Sequence, residues 1–177
     1  MTTVYPTIKV ITSDEKEVTI DSKIIKFFVT LKNMIDDIKG TEYVNIPLPN
    51  VSYDVLNIII EYCEHHVDDT FDEEPEPAVG KIRPCTIKDS WDVELMAKIS
   101  HIKLAQILNA SNYLDIKQMY SLGCKIFAKR LKAIADKCTS IEDSRRRFKE
   151  EFEIECDFTE EEKAKIESEN KWVYDSQ

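Results

Sequence analysis

The run Cys63-Glu64-His65-His66, followed closely by Asp68 and Asp69, is the densest group of metal-ligating side chains in the sequence. Thiolates, imidazoles and carboxylates are the usual zinc ligands, so an enzyme using His65, His66 and Asp68 has to be considered. Zinc ligands usually converge from separated positions, as in an H-x-x-x-H helix. Neighbouring histidines on a helix point about 100° apart. The spacing therefore favours histidines at the C-terminal end of a helix, and we expect no metal ion, no cofactor and no catalytic residue.

Other patterns that carry catalysis are missing from the sequence. It contains no G-x-S-x-G nucleophile elbow. Its three glycines, Gly40, Gly80 and Gly123, lie too far apart to form a phosphate-cradling loop. The triplet Arg145-Arg146-Arg147 is surrounded by acids, which is typical of a solvated, ion-paired helix face. These absences favour a protein that binds partners and catalyses no reaction.

The charge and the cysteines limit the classes of partner and the compartment. The formal net charge is -10 and the pI is about 4.9. Such a surface repels phosphate backbones and anionic membranes, so we expect neither nucleic acid nor membrane as a partner. We recognise no secretory signal and no apolar run of the roughly 20 residues that span a bilayer. Because the five cysteines are odd in number and lack C-x-x-C spacing, we predict free thiols and a cytoplasmic and nuclear location.

The apolar patterning predicts a small sheet followed by helices. Residues 8–20 alternate apolar and polar side chains around a turn and predict a hairpin. Residues 43–46 predict a short strand that ends at Pro47 or lies at a sheet edge. The acidic segment 68–90 predicts a mobile loop. Helices are predicted over residues 22–28, 30–38, 53–66, 92–99, 102–113, 116–131, 142–152 and from the Thr159 capping box onward.

The helix predicted over residues 116–131 carries two apolar stripes instead of one. The first stripe consists of Met119, Leu122 and Ile126, and it can face the domain core. The second stripe consists of Tyr120, Cys124, Phe127 and Leu131. It needs another surface, and the chain after residue 136 offers few apolar residues. Either that segment folds back onto the stripe or a partner helix covers it, and the periodicity does not distinguish the two.

Several short stretches occur in an order and spacing that are specific to one family. They are Leu48-Pro49-Asn50-Val51, Tyr62–His66, Trp91-Asp92-Val93-Glu94, Asn112–Lys117, Asp157–Glu162 and Glu169–Trp172. Together they resemble the Skp family of SCF ubiquitin-ligase adaptors, over about Ile8 to Trp172. The resemblance implies an α+β, mostly helical architecture. It implies a BTB/POZ domain over residues 1–131 and a C-terminal two-helix extension that binds F-box proteins over residues 132–177.

The resemblance also implies two binding sites and a non-catalytic role. The chain would bridge F-box proteins to a cullin scaffold, and a weak homodimer through the BTB domain is allowed. The cullin contact would centre on Asn112 and Tyr113. The F-box groove would use Leu104, Leu108, Tyr120, Cys124, Phe127, Leu131, Phe152, Ile154, Phe158, Asn170 and Trp172.

Two departures from the family pattern keep an alternative open. Ala105 and Asn109 stand where the family usually has a bulky Phe and an apolar residue. The alternative is a BTB-type scaffolding protein that binds F-box proteins, or self-associates, without a cullin.

Overall fold

The structure is a computed structural model, and it describes residues 8–37, 45–69, 87, 89–155 and 158–174. Two compact units divide the chain, the first spanning Met1–Asp136 and the second Lys137–Gln177. The boundary predicted after residue 131 lies inside the last long helix of the first unit. Most of the acidic segment predicted as a mobile loop, residues 70–86 and 88, lies outside the described residues.

A three-stranded sheet in the first unit confirms the predicted hairpin. Strands β1 (Ile8–Thr12) and β2 (Glu17–Ile20) are antiparallel, and β3 (Asn45–Leu48) pairs with β1 in parallel, giving the order β2-β1-β3. Pro47 lies within β3 opposite Ile11. A proline is tolerated there because β3 lies at the sheet edge, where one side of the strand has no ladder to complete.

Helices make up most of the rest, and the mostly helical α+β class predicted from the sequence is confirmed. The first unit contains a 3-10 turn (Ile25–Phe27), α1 (Val29–Asp37), α2 (Tyr53–His65), α3 (Ser90–Ala97), α4 (His101–Tyr113) and α5 (Lys117–Ala135). The second unit contains α6 (Ile141–Glu151), α7 (Glu160–Glu169) and the short α8 (Lys171–Tyr174). None of the helices in the described ranges is long and apolar enough to cross a membrane.

The short helix predicted over residues 22–28 forms only in part, as a 3-10 turn over Ile25–Phe27. Ile24, Ile25, Phe27 and Phe28 are all buried, and Lys26 between them is exposed. Bonds from the amides of Phe27 and Phe28 to carbonyls three residues back tighten the chain. The turn thereby places four apolar side chains in the core over little more than one turn of backbone.

One apolar core fills the first unit. The inward residues of the strands, among them Val10, Ile20 and Leu48, pack with the buried faces of α2, α4 and α5. The predicted helix at 53–66 is confirmed, and Leu56 and Ile59 are fully buried. This core fixes the positions of α4 and α5, which carry the first-unit part of the predicted binding surfaces.

Candidate partner-binding surfaces

Helix α5 presents its two apolar stripes to different surroundings. Met119, Leu122 and Ile126 of the first stripe are buried, which confirms that this stripe faces the core. In the second stripe Tyr120 is 42% exposed and Cys124 is also exposed. The two remaining members of that stripe are partly buried. The second stripe is therefore an apolar helix face that solvent still reaches.

A close approach of α4 to α5 sets the edge of this surface. A Cβ atom on Gly123 would lie 2.7 Å from Leu108 Cδ2, so the glycine makes room for that side chain. Leu108 is half-buried and borders the second stripe. Leu104, which the resemblance placed in the groove, is 0% exposed and packs in the core. In this structure Leu104 offers a partner no surface, because its side chain points toward Gly123 and the inward face of α5.

The C-terminal end of α4 presents the residues predicted to contact a cullin. Asn112 is exposed, whereas Tyr113 is partly buried and packs against the core. The helix ends in a Schellman motif, in which the Ile116 amide donates to the Ser111 carbonyl at 2.8 Å. Thr30 at the start of α1 adds a hydroxyl bond to the Tyr113 carbonyl at 2.9 Å. These bonds hold Asn112 and Tyr113 on a rigid helix end.

The second unit exposes several large apolar side chains. Ile154 and Phe158 are each 53% exposed, and Trp172 is 70% exposed. Phe152 is partly buried, and its ring stacks on Phe148 with centroids 6.0 Å apart. Asn170 ends α7, and its side-chain amide donates to the Ile166 carbonyl at 2.8 Å. Large apolar groups this exposed are typical of a surface that a partner covers.

Local hydrogen bonds determine where this unit's helices begin. The predicted capping box of α7 is confirmed: the Thr159 amide donates to Glu162 Oε2 at 2.8 Å, and the Glu162 amide donates to Thr159 Oγ1 at 3.3 Å. The Thr159 bonds hold the pKa of Glu162 below its usual value. Ser140 is the N-cap of helix α6, and its hydroxyl accepts from the Asp143 amide.

The arginine triplet forms the ion-paired helix face predicted for it. Asp143 pairs with Arg146 at 2.6 Å and with Arg147 at 3.0 Å, and Arg145 reaches Glu167 of α7 at 3.1 Å. The hydrogen bond from Arg147 is the main cause that lowers the pKa of Asp143. The pairs are largely solvent-exposed, so each contributes little to stability.

Val93 and Ile102 are among the exposed apolar residues that were not anticipated from the sequence. Val93 on α3 is 43% exposed and Ile102 on α4 is 40% exposed. Neither residue belongs to an apolar stripe identified in the sequence, so the helical period did not single it out. Isolated exposed apolar residues are common on protein surfaces, and neither one defines a site by itself.

Known proteins match this chain along most of its length. The family model described as "Skp1 family, tetramerisation domain" matches residues 6–68. The "Suppressor of kinetochore protein 1" of Schizosaccharomyces pombe is 39% identical over 168 residues, covering 95% of this chain and 98% of that protein. The "E3 ubiquitin ligase complex SCF subunit sconC" of Arthroderma benhamiae is 37% identical, covering 91% of both chains. The protein of that name in Talaromyces stipitatus is 33% identical, covering 92% of this chain and 94% of its own length.

The fold and these matches together define the class of protein: an α+β POZ domain followed by a helical extension. The chain belongs to the Skp1 family. The family resemblance and the BTB/POZ fold predicted from the sequence are thereby confirmed.

Proposed function

We propose that this chain is the adaptor subunit of an SCF-type cullin ubiquitin ligase and bridges F-box substrate receptors to the cullin scaffold. The observation that carries the proposal is the second stripe of α5, where Tyr120 and Cys124 are exposed although the first stripe of the same helix packs in the core. The names of the sconC relatives, which describe them as SCF subunits, support the same role.

The F-box partner would bury apolar surface on both units. On the first unit it would cover Leu108 and the second stripe of α5. On the second unit it would cover Phe152, Ile154, Phe158, Asn170 and Trp172. Large, exposed aromatic residues are the usual hot spots of protein interfaces, so Phe158 and Trp172 should dominate the binding free energy.

The adaptor would contribute no catalytic group. Its role would be to position the substrate receptor on the cullin scaffold. One surface would hold the receptor while Asn112 and Tyr113 contact the cullin. The exposed Asn112 and the hydrogen-bonded end of α4 support a rigid cullin contact separate from the F-box residues. Residence in the cytoplasm and nucleus remains a prediction that imaging of the tagged protein tests.

The F-box surface is tested by the double substitution Phe158→Ala and Trp172→Ala. Loss of two hot spots should weaken binding of an F-box protein by about 2–4 kcal/mol in calorimetry. Val93→Ala with Ile102→Ala is the matched control, since it removes two exposed apolar side chains outside the proposed surface. An affinity that the first pair leaves unchanged, or that both pairs reduce equally, contradicts the assignment.

The cullin surface is tested independently by Asn112→Lys. Because Asn112 is exposed, this change places a charge in the proposed interface and leaves the fold intact. It should abolish capture by a cullin N-terminal domain while F-box binding persists. Adding Tyr113→Ala would deepen the loss, although Tyr113 also packs against the core. Retained cullin binding in Asn112→Lys would refute this surface.

A scaffolding role without a cullin is the second candidate. Asn109 is exposed on α4 and Ala105 is partly buried, so α4 presents a polar residue where the family usually has an apolar one. Light scattering of the chain, alone and mixed with a cullin N-terminal domain, separates the two functions. A stable homo-oligomer that forms no cullin complex would favour the scaffold.

A further inference from the structure

Three metal-ligating side chains converge where α2 ends and α3 begins. His65 is the last residue of α2, His66 is its C-cap, and Asp89 is the N-cap of α3. One ligand atom from each lies within 4.8 Å of the others. The histidines lie at the C-terminal end of a helix, as predicted, and the backbone of the C-cap His66 departs from helical geometry at φ -94° and ψ 15°. Its imidazole ring consequently lies edge-on to that of His65, with centroids 4.8 Å apart.

The separations come close to those of a zinc site. Ligands bonded to zinc at 2.0–2.1 Å in a tetrahedron lie about 3.3 Å from each other. His65 Nε2 and Asp89 Oδ2 are 3.2 Å apart, so this pair has the required spacing. The His66 nitrogen has to approach by roughly 1.5 Å at most and to give up its bond to one carboxylate.

Surrounding side chains hold the three ligands in place. The His65 ring stacks on Trp91 with centroids 3.9 Å apart and an interplanar angle of 9°. The two carboxylate oxygens of Asp89 have different partners. Oδ1 accepts from the Trp91 amide at 2.8 Å, and Oδ2 lies beside His65 Nε2. The two nitrogens of His66 contact Asp69 at 2.5 Å and Asp92 at 2.9 Å. Because both nitrogens are engaged, a metal ion has to replace one of these carboxylates, and the carboxylate that stays on the other nitrogen then orients the ring, as is common for a ligating histidine.

Charge also favours a cation at this position. Asp69, Asp89 and Asp92 surround only two imidazoles, so the cluster is negative whenever the histidines are neutral. His66 is 3% exposed, which reduces competition from water, while the exposed His65 leaves a path for an ion to enter. Cys63 is fully buried and Asp68 lies outside the group, so neither of these earlier candidates takes part.

We propose that His65, His66 and Asp89 bind a divalent transition-metal ion, with zinc as the preferred ion. Two imidazoles and one carboxylate are borderline ligands that suit zinc, cobalt and nickel better than calcium or magnesium. With three protein ligands, water occupies the remaining position. The ion would join the end of α2 to the start of α3. The proposal does not depend on the adaptor function.

The test is calorimetric titration of Zn²⁺ into the full-length, tag-free protein, with absorption of bound Co²⁺ as a second readout. We expect one ion per chain with a micromolar Kd. His65→Phe preserves the stacking on Trp91 but removes the ligand nitrogen. Asp89→Asn preserves the helix cap, because asparagine caps as well as aspartate does. Each change should weaken Zn²⁺ binding at least tenfold.

His101→Gln provides the matched control, since it removes the third histidine of the chain, which lies outside the cluster. Its Zn²⁺ affinity should stay within twofold of the wild type. Absence of saturable binding up to millimolar Zn²⁺ would overturn the proposal. Binding that survives both His65→Phe and Asp89→Asn would overturn it as well. Circular dichroism verifies that the variants are folded. If one variant does not fold, the Zn²⁺ affinity of the other decides the test.

Discussion

At the scale of single residues, Ser111 stands out because it is polar and wholly buried. Its side chain is 0% exposed, and among the described residues its hydroxyl has no hydrogen-bond partner. A buried hydroxyl without a partner loses its bonds to water and gains none in the protein. The residue therefore lowers stability at a position directly before the proposed cullin contact.

Replacing Ser111 by Ala should raise the free energy of unfolding by about 1 kcal/mol, since the unpaired hydroxyl is removed and alanine favours helix. Ser100→Ala, the same change at the other end of α4, should lower it by about 1 kcal/mol because the Ser100 hydroxyl caps the helix and accepts from the Lys103 amide. Urea denaturation measures both. Destabilisation by Ser111→Ala would show that the hydroxyl has a partner.

The direction of individual side chains was the least predictable property at this scale. The family pattern placed Leu104 and Leu108 together in the groove, yet Leu104 is fully buried and Leu108 is not. The difference arises from how closely α4 approaches α5 at Gly123, a distance that no local pattern encodes. In the same way, the meeting of His65, His66 and Asp89 depends on where α3 begins relative to α2. Tertiary packing sets both arrangements.

At the scale of elements, α4 and α6 end in the same way. Asp115 and Glu153 have φ values of 53° and 50°, and each follows a helix C-cap. The next amide, from Ile116 or Ile154, donates to a carbonyl of the last helical turn. This Schellman geometry usually has glycine at the left-handed position. Both helix ends therefore retain backbone strain, and each sets the position of a proposed binding surface.

Asp115→Gly should relieve that strain and raise the free energy of unfolding by about 0.5–1 kcal/mol, because glycine adopts positive φ without a Cβ clash. Gln106→Gly, at an exposed position inside the same helix, should lower it by about 1 kcal/mol. Guanidinium denaturation compares the two variants with the wild type. A loss of stability in Asp115→Gly would mean that the aspartate side chain stabilises the turn by more than the strain costs.

Whether a segment forms a helix or a strand could be predicted wherever one local sequence signal dominates that segment. The hairpin, the buried helix over α2 and the capping box of α7 were predicted because alternation, a continuous apolar run and a T-x-x-E motif are local signals. The 3-10 turn at Ile25–Phe27 was not, since so short a segment shows no clear hydrophobic period and suits several backbone conformations. Helix α5 continues to Ala135, beyond the predicted end at Leu131, because that end lacks a glycine or proline stop.

At the scale of the whole molecule, buried side chains are distributed unequally. The apolar core lies within the first unit, and Ile134 is the last buried residue among those that the structure describes. No side chain described after Asp136 reaches that level of burial. The shortage of apolar residues after residue 136 had indicated this imbalance. Whether the tail or a partner covers the second stripe of α5 could not be predicted from the sequence, because periodicity does not identify what packs on an apolar face.

The last prediction concerns the stability of the second unit. Its α6 and α7 are joined by the exposed Arg145–Glu167 pair and have little apolar burial, and both contributions are weak. In hydrogen exchange, amides of α6 and α7 should open with a free energy well below that of the buried α2. Binding of an F-box protein should slow their exchange at least tenfold, because Phe158 and Trp172 then become buried. Binding of a cullin N-terminal domain should leave it unchanged, which provides the control. Equal protection of α2, α6 and α7 in the free chain would contradict this account. It would mean that α6 and α7 open only when the whole protein unfolds, even with no partner bound.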